Sequence, residues 1–326
     1  MNLDEKITIF KEKIKSAKNI LVVGHLRPDG DAISSVCIIL EILKRFKKEA
    51  FAYCHGNIPS SLNYLNHFEK IENTLEGFNK YDLLIVVDCG SLLRTNLSKE
   101  IKKAKELNSL YIIEIDHHPL VDFYSDLEIR DTKAASTTEI IYHICKILDI
   151  LIDKPLAEAI LTGIITDTGN FFYPNASSKS LQIASNLLNK GANLAKIIKY
   201  NNSSYNLASY KLWGLAMERL EVHHKYDLAY SVLKLDDILA ISSDSEEISE
   251  TLSLIAGFLS NLSGVKATLL LHETKKGMIK GHLRSSRKDV DISKLARYLG
   301  GGGHKQAAGF AIAGEIVKID NSWQIK

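Results

Sequence analysis

The chain has 326 residues, 45% of them hydrophobic and 25% charged, and a formal net charge of +2. That balance belongs to a globular protein and excludes a disordered or low-complexity chain. So small a net charge also excludes a protein that coats long polyanions through bulk charge, leaving room only for a local basic groove. The length exceeds what one hydrophobic core usually serves, so two domains are expected.

The opening "MNLDEKITIFKEKIKSAKN" mixes both charges at helical spacing and lacks the apolar core of a signal peptide. Nowhere does an apolar run reach the roughly 18 residues needed to span a bilayer. The cysteines, Cys37, Cys54, Cys89 and Cys145, form no CxxC pair. They read as buried thiols of a reducing compartment, hence a cytoplasmic protein.

"NILVVG" is a strand and "DAISSVCIILEILKRFKK" a helix, with "GHLRPDGD" between them. "EAFAYC", "YDLLIVVDCG" and "SLYIIEIDHH" read as further strands, the last two separated by the helical "LSKEIKKAKELN". Its "KKAKE" run is a solvated helix face. Strands alternating with helices imply a mainly parallel sheet. "STTEIIYHICKIL" opens with the S-x-x-E pattern of a capping box, Ser136 to Glu139. "LAEAILTGIITDTGNF" stays helical up to Gly169, and amphipathic segments continue to about Leu220.

Near residue 221 the pattern changes. "YDLAYSVLKL", "VKATLLLHET" and "MIKGHLRS" read as antiparallel strands, the last two joined by "KKG". "SEEISETLSLIAGFLSNL" and "DISKLARYLG" are helices, and "VHHKY" marks a strand or hairpin edge. The fold class is therefore α/β: an N-terminal domain with a parallel sheet flanked by helices, a helical linker and a smaller C-terminal α+β domain.

Three strand ends carry polar clusters: His25, Asp29 and Asp31 after the first, Asp88 after the third, and Asp116, His117 and His118 after the fourth. Asp167 sits at a predicted helix end. Singly, each has a bland explanation as a helix cap or a solvated loop residue. Together, converging carboxylates repel one another and need cations to stay charged. An oxygen-rich set with imidazoles suits two hard or borderline divalent ions, manganese first and magnesium after it.

"GHLRPDGDA", "VVDCG", "IDHH" and "TDTGNF", in that order, resemble the four motifs of the DHH phosphoesterase superfamily. "HLRSS" and "DISKLARYLGGGGHKQAAGF" resemble its associated C-terminal domain, most of all in the nanoRNase and 3′-phosphoadenosine-5′-phosphate (pAp) phosphatase group. The resemblance departs at "PLVDFY", where an asparagine often stands, and at "SS", where the first motif often has "GS". It implies domains at 1–190 (catalytic), 191–215 (linker) and 216–326 (substrate-binding). It also implies that His25, Asp29 and Asp88 hold one metal while Asp31, Asp88, His117 and Asp167 hold the other, with Asp88 bridging. Asp116 would stand behind the ligands and orient an imidazole, and His118 would face the scissile phosphate as a catalytic group beside Asp88.

In the second domain, Gly301, Gly302, Gly303 and His304 offer unobstructed backbone amides, and Arg284 and Arg287 offer guanidinium groups for a phosphate or a base. The expected activity is metal-dependent hydrolysis of very short oligoribonucleotides to mononucleotides and of pAp to AMP. Partners are then short RNA, dinucleotides and pAp, with no membrane and no long duplex; a homodimer is compatible with this reading. The competing readings are a phosphodiesterase for cyclic or linear dinucleotides and, from another class, a nucleic-acid-binding module without catalysis.

Overall fold

The computed structural model describes residues 1–202, 206–275, 277–320 and 322–326. Ser203, Ser204 and Tyr205, inside the expected linker 191–215, and Lys276, inside the expected "KKG" turn, lie outside the described residues. The chain divides into two compact units, Met1–Phe171 with Asn175–Ser204, and Phe172–Pro174 with Tyr205–Lys326.

In the first unit the elements follow as α1 (Leu3–Ser16), β1 (Ile20–Val23), α2 (Gly30–Arg45), β2 (Ala50–Tyr53), β3 (Ile71–Glu72) and β4 (Leu83–Val87). Then come α3 (Ser98–Glu106), β5 (Tyr111–Asp116), β6 (Leu127–Arg130), α4 (Thr137–Ile147), α5 (Lys154–Asp167), α6 (Ser178–Asn189) and α7 (Leu194–Asn202). The strands form one sheet in the order β3-β2-β1-β4-β5-β6, and every pairing in it is parallel.

Successive strand residues face opposite ways, and both faces are covered. Ile20, Val22, Ile85 and Ile113 pack with Phe10 of α1, Ile33 of α2, Ile141 of α4 and Ile160 of α5. Leu21, Val23, Leu84 and Ile112 pack with Ile101 and Ala104 of α3. This double coverage is why the strands read as unbroken apolar runs rather than as alternating ones. Helix α2 is buried on nearly every side, and a Cβ on its first residue, Gly30, would meet Thr166 Cγ2 of α5 at 2.3 Å. Its start is thereby clamped against the end of α5.

The second unit contains α8 (Leu207–Glu218), β7 (Glu221–His223), β8 (Leu228–Leu233), α9 (Leu235–Leu239), α10 (Ser245–Leu259), β9 (Ala267–Lys275) and β10 (Met278–Arg284). After these come α11 (Ser293–Tyr298), β11 (Gly302–Gly303), β12 (Ala307–Ala313), β13 (Ile316–Ile319) and β14 (Ser322–Ile325). The main sheet runs β11-β12-β10-β9-β8-β7, with β13 and β14 as a separate pair.

One expectation is corrected here. The strands β8, β9 and β10 were read as all antiparallel, whereas β8 and β9 pair in parallel. Helix α10 intervenes and returns the chain to the end from which it started, and a crossover of that kind produces a parallel pair. β9 and β10 pair antiparallel as expected, and "VHHKY" is indeed a hairpin edge between β7 and β8. Between β9 and β10 the rings of His272 and His282 stack with centroids 5.3 Å apart and Nε2 atoms 3.3 Å apart, both buried.

Candidate active site

In the first sheet the chain leaves β1 for β2 on one side and later enters β4 on the other. The loops after β1 and β4 therefore diverge and open a crevice at the carboxyl ends of the strands, the place where such sheets bind ligands. The first loop carries His25 and Asp29 and leads into Asp31 in α2, the second carries Asp88, and the neighbouring β5 ends at Asp116 before His117 and His118. Asp167 arrives from the last residue of α5.

Local chemistry fixes each side chain. Asp29 is the N-cap of α2, accepting from the N–H groups of Asp31 at 3.0 Å and Ala32 at 3.1 Å. Asp31, in the first turn of α2, is buried and aims at the start of α4. Its Oδ2 accepts from Thr137 N at 2.6 Å, and its Oδ1 accepts from Thr138 Oγ1 at 2.7 Å and Thr138 N at 3.1 Å. Asp88 takes a left-handed backbone with φ of 58°, a conformation costly for a non-glycine residue and common at functional sites. That turn directs its buried carboxylate into the crevice, where Oδ1 accepts from Thr137 Oγ1 at 2.8 Å. Cys89 lies on the far side of the sheet, in the α3 core.

The donor atoms converge in three groups, each within 4.8 Å: His25 with Asp29 and Asp88, Asp31 with His117 and Asp167, and Asp88 with His117 and His118. His117 Nε2 lies 3.1 Å from Asp167 Oδ2 and 3.5 Å from Asp88 Oδ1. His25 Nε2 is 3.6 Å from Asp29 Oδ2 and 3.8 Å from Asp88 Oδ2. His25 Nδ1 sits 2.9 Å from the Leu26 carbonyl, so Nδ1 carries the proton and Nε2 is left as the basic atom. Buried Nε2 has no hydrogen-bond partner among the described residues. An unpaired imidazole nitrogen between two carboxylates fits a divalent cation, and the oxygen-rich remainder of the set fits a hard or borderline one.

Electrostatics lead to the same place. Burial, together with the charges of Asp31, Asp29, Asp167 and Asp116, drives Asp88 well above the usual carboxylate range. Burial and Asp167 push Asp31 up to about 7. For His117, burial works against the charge, but the hydrogen bond and charge of Asp167 raise it to about 9. Asp29, whose side chain is 55% exposed, is held low instead, because His25 and the Ala32 N–H outweigh the cost of burial. Protein groups alone therefore do not balance the inner carboxylates, and cations would.

Asp116 is buried behind this cluster. Its Oδ1 accepts from His118 N and pairs with His118 Nδ1, both at 2.8 Å, and its Oδ2 accepts from Gly90 N at 2.5 Å. Burial opposes its charge, yet these bonds and the His118 charge pull it down to about 2. It is a fixed anion that sets the His118 ring orientation.

Thr137 and Thr138 were missed as site residues. The capping pattern at Ser136 signalled a helix start, and Ser136 does accept from Glu139 N at 3.2 Å. The Glu139 carboxylate reaches Ala135 N rather than Ser136 N, so the reciprocal box is incomplete. What periodicity could not reveal is that this helix start points at the sheet edge and binds two of its carboxylates. A complete capping box does occur at Asn2 and Glu5, opening α1.

In the second unit Arg284 ends β10, with its guanidinium donating to the Leu283 and Ala308 carbonyls. Arg287 is engaged by Asp289 at 2.6 Å. The glycine run has a packing explanation for three of its members. Gly300 N donates to Arg297 O, closing α11 with a φ of 77°. Cβ atoms on Gly301 and Gly303 would stand 2.1 Å from Gly309 O and 2.6 Å from Ala307 O, against β12. Gly302, like Gly300, faces open space, but it has no left-handed backbone to call for a glycine. The amides of Gly301 and His304 are already bonded, to Ala296 O and Ala307 O. His304 is exposed beside them.

A doubly covered parallel sheet that gathers carboxylates and imidazoles at its switch point defines an α/β enzyme with a site for divalent ions. Residues 19–164 match the DHH family, N-terminal domain, and residues 229–320 match the DHHA1 domain. The bifunctional oligoribonuclease and PAP phosphatase NrnA of Bacillus subtilis is 31% identical over 299 residues, covering 90% of this chain and 89% of its own. The protein of the same name from Thermus thermophilus is 27% identical, covering 98% and 92%. The crystal structure of an exopolyphosphatase-related protein from Bacteroides fragilis superposes with a TM-score of 0.82 at 25% identity, over 94% of this chain and 90% of that one. The chain belongs to the DHH family, whose members depend on divalent metal ions, and it is a hydrolase acting on phosphoester bonds. Among the described residues no helix is long and apolar enough to cross a membrane.

Proposed function

We propose that this chain uses two manganese ions to hydrolyse very short oligoribonucleotides to mononucleotides and to remove the 3′-phosphate of pAp. The observation that carries the reading is the position of Asp88, which contributes to two of the three donor groups, as a carboxylate bridging two cations must. The nearly full-length similarity to relatives named for both activities supports the substrate class.

In this reading His25, Asp29 and Asp88 hold one ion, and Asp88, Asp31, His117 and Asp167 hold the other. When bound, the pair of cations supplies an activated water and balances charge on the phosphoryl oxygens. Thr137 and Thr138 hold Asp88 and Asp31 in place. Asp116 keeps the Nδ1 proton of His118 and turns Nε2 toward the phosphoryl group, where it balances developing charge. Arg284, Gly302 and His304 hold a nucleotide, and Arg287 joins them by exchanging Asp289 for a phosphate. Gly301 and Gly303 serve that surface by letting the backbone lie close to β12. Two domains, 1–190 and 216–326, remain the working division of labour.

The test is a rate series on oligoribonucleotides of increasing length, pAp and a cyclic dinucleotide, with metal-depleted and manganese-reconstituted protein. Manganese-dependent kcat/KM is expected to peak at about two to four nucleotides, where remote contacts orient the reacting phosphate. Equal efficiency on a dinucleotide and a long strand, or preference for the cyclic substrate, overturns the reading.

A further inference from the structure

Arg94 belongs to the stretch that follows β4, four residues beyond Gly90. It lies in a short 3-10 turn, Leu92–Thr95, anchored on several sides. Leu26 N, in the β1 loop, donates to the Arg94 carbonyl at 2.7 Å. Leu92 N donates to Asp122 Oδ2 at 3.0 Å, and Thr95 Oγ1 donates to Leu92 O at 2.7 Å. Leu92 and Thr95 are buried, so the half-buried Arg94 side chain starts from a fixed root.

Its guanidinium returns to Gly90. A Cβ on Gly90, where φ is 69°, would stand 3.3 Å from an Arg94 guanidinium nitrogen and 3.2 Å from His118 Cγ. The missing side chain thus leaves one spot flanked by a guanidinium and an imidazole. The Arg94 charge acts on both Asp29 and Cys89. No hydrogen bond or ion pair joins it to either one, and Asp29 Oδ1 accepts from the N–H groups of α2 instead.

Among the described residues the Arg94 guanidinium has no hydrogen-bond or ion-pair partner. Arg45, Arg130, Arg219 and Arg287, by contrast, are each ion-paired. Five donors in a planar fork, held beside an acidic cluster but unengaged, match a tetrahedral oxyanion brought in between.

We propose that Arg94 is a phosphate-binding residue, which with His118 flanks Gly90 and holds non-bridging oxygens of the scissile phosphate. This rests on the phosphoesterase reading and deepens it. It also distinguishes two arginines: Arg94 meets the reacting phosphate of any substrate, whereas Arg284 meets only substrates that carry a further nucleotide.

Full-length, manganese-loaded wild type is compared with Arg94→Met and Arg94→Lys. The readouts are metal content, affinity for inorganic phosphate by titration calorimetry, and kcat and KM on a linear dinucleotide and on p-nitrophenyl phosphate. Arg94→Met should keep its metal, weaken inorganic phosphate by about tenfold or more, and lower kcat/KM on both substrates by about 100-fold. Arg94→Lys should recover part of each loss, because the charge returns without the fork. Unchanged phosphate affinity and unchanged rates in Arg94→Met overturn the proposal. So does equal metal loss in both variants, which would mark a structural role. A wild type that binds phosphate but hydrolyses neither substrate would overturn the phosphoesterase reading instead, and the phosphate titrations would still judge Arg94.

Discussion

Both units of the chain carry a six-stranded sheet, but the two sheets place polar groups very differently. In the first, all strands run one way, so every carboxyl end opens on the same edge. There Asp31 and Asp88 lie buried within reach of His25, His117 and Asp167. In the second, only β8 and β9 run parallel, and neighbouring ends point in opposite directions. Its notable polar groups are accordingly dispersed: Arg284 at one strand end, and His272 and His282 buried between strands. A charged cluster needs converging strand ends, and only the parallel sheet supplies them. Glycine differs in the same way. Gly90 clears room for side chains at the first site, while Gly301 and Gly303 let backbones touch in the second unit.

The largest effect expected from breaking this contrast is at Asp88. Asp88→Ala should abolish turnover and weaken both metals, since no neighbour can replace a bridging carboxylate; a metal titration alongside steady-state rates checks it. Normal stoichiometry and turnover would remove Asp88 from the bridge. Next come the paired imidazoles. His118→Ala should retain metal and lose about 100-fold or more in kcat, while His117→Ala should lose metal. The reverse pattern would exchange their roles. Thr137→Val removes the donor to Asp88 and should cost about 10- to 100-fold in metal affinity or activity, the usual scale for groups that orient ligands. Wild-type affinity in that variant would reduce α4 to scaffolding.

The second unit calls for a different kind of test. Gly301→Ala should destabilise it by about 1–3 kcal/mol through a forced contact with β12, read in a denaturant titration. Gly302→Ala, open on that side, should leave stability alone and raise KM for a dinucleotide. If both changes altered only KM, the packing account of the run would be wrong.

Much of the first unit was legible because its strands, "ILVV", "LLIVV" and "YIIEID", are apolar runs that stop abruptly at charged residues. A buried strand and its polar end announce themselves locally. The parallel pairing of β8 with β9 did not, since strand direction depends on where α10 returns the chain. Strand β12, "AAGFAIA", escaped because alanine and glycine carry little strand preference; their small size is what lets β11 and α11 approach. Thr137, Thr138 and Arg94 were illegible for another reason. Each matters through a contact with residues far away in sequence, and no period or spacing encodes that. Asp29 caps α2 while Asp31 sits in its first turn, a division that an Asp-Gly-Asp stretch, with two equivalent starts, does not settle by itself.

The stacked pair between β9 and β10 also sets an acid limit for the protein. Burial, the neighbouring ring and nearby cations hold His272 down to about 4 and His282 down to about 3. An unfolded histidine takes up its proton near pH 6.5. Below that value the unfolded chain binds protons that the folded sheet refuses, so stability contributed by the neutral pair is present above pH 6.5 and drains away as pH falls toward about 3. Denaturation midpoints across that window should decline less steeply in a His272→Gln variant. The hinge of this acid response would lie in the second unit, where acidification would act by loosening β9 from β10.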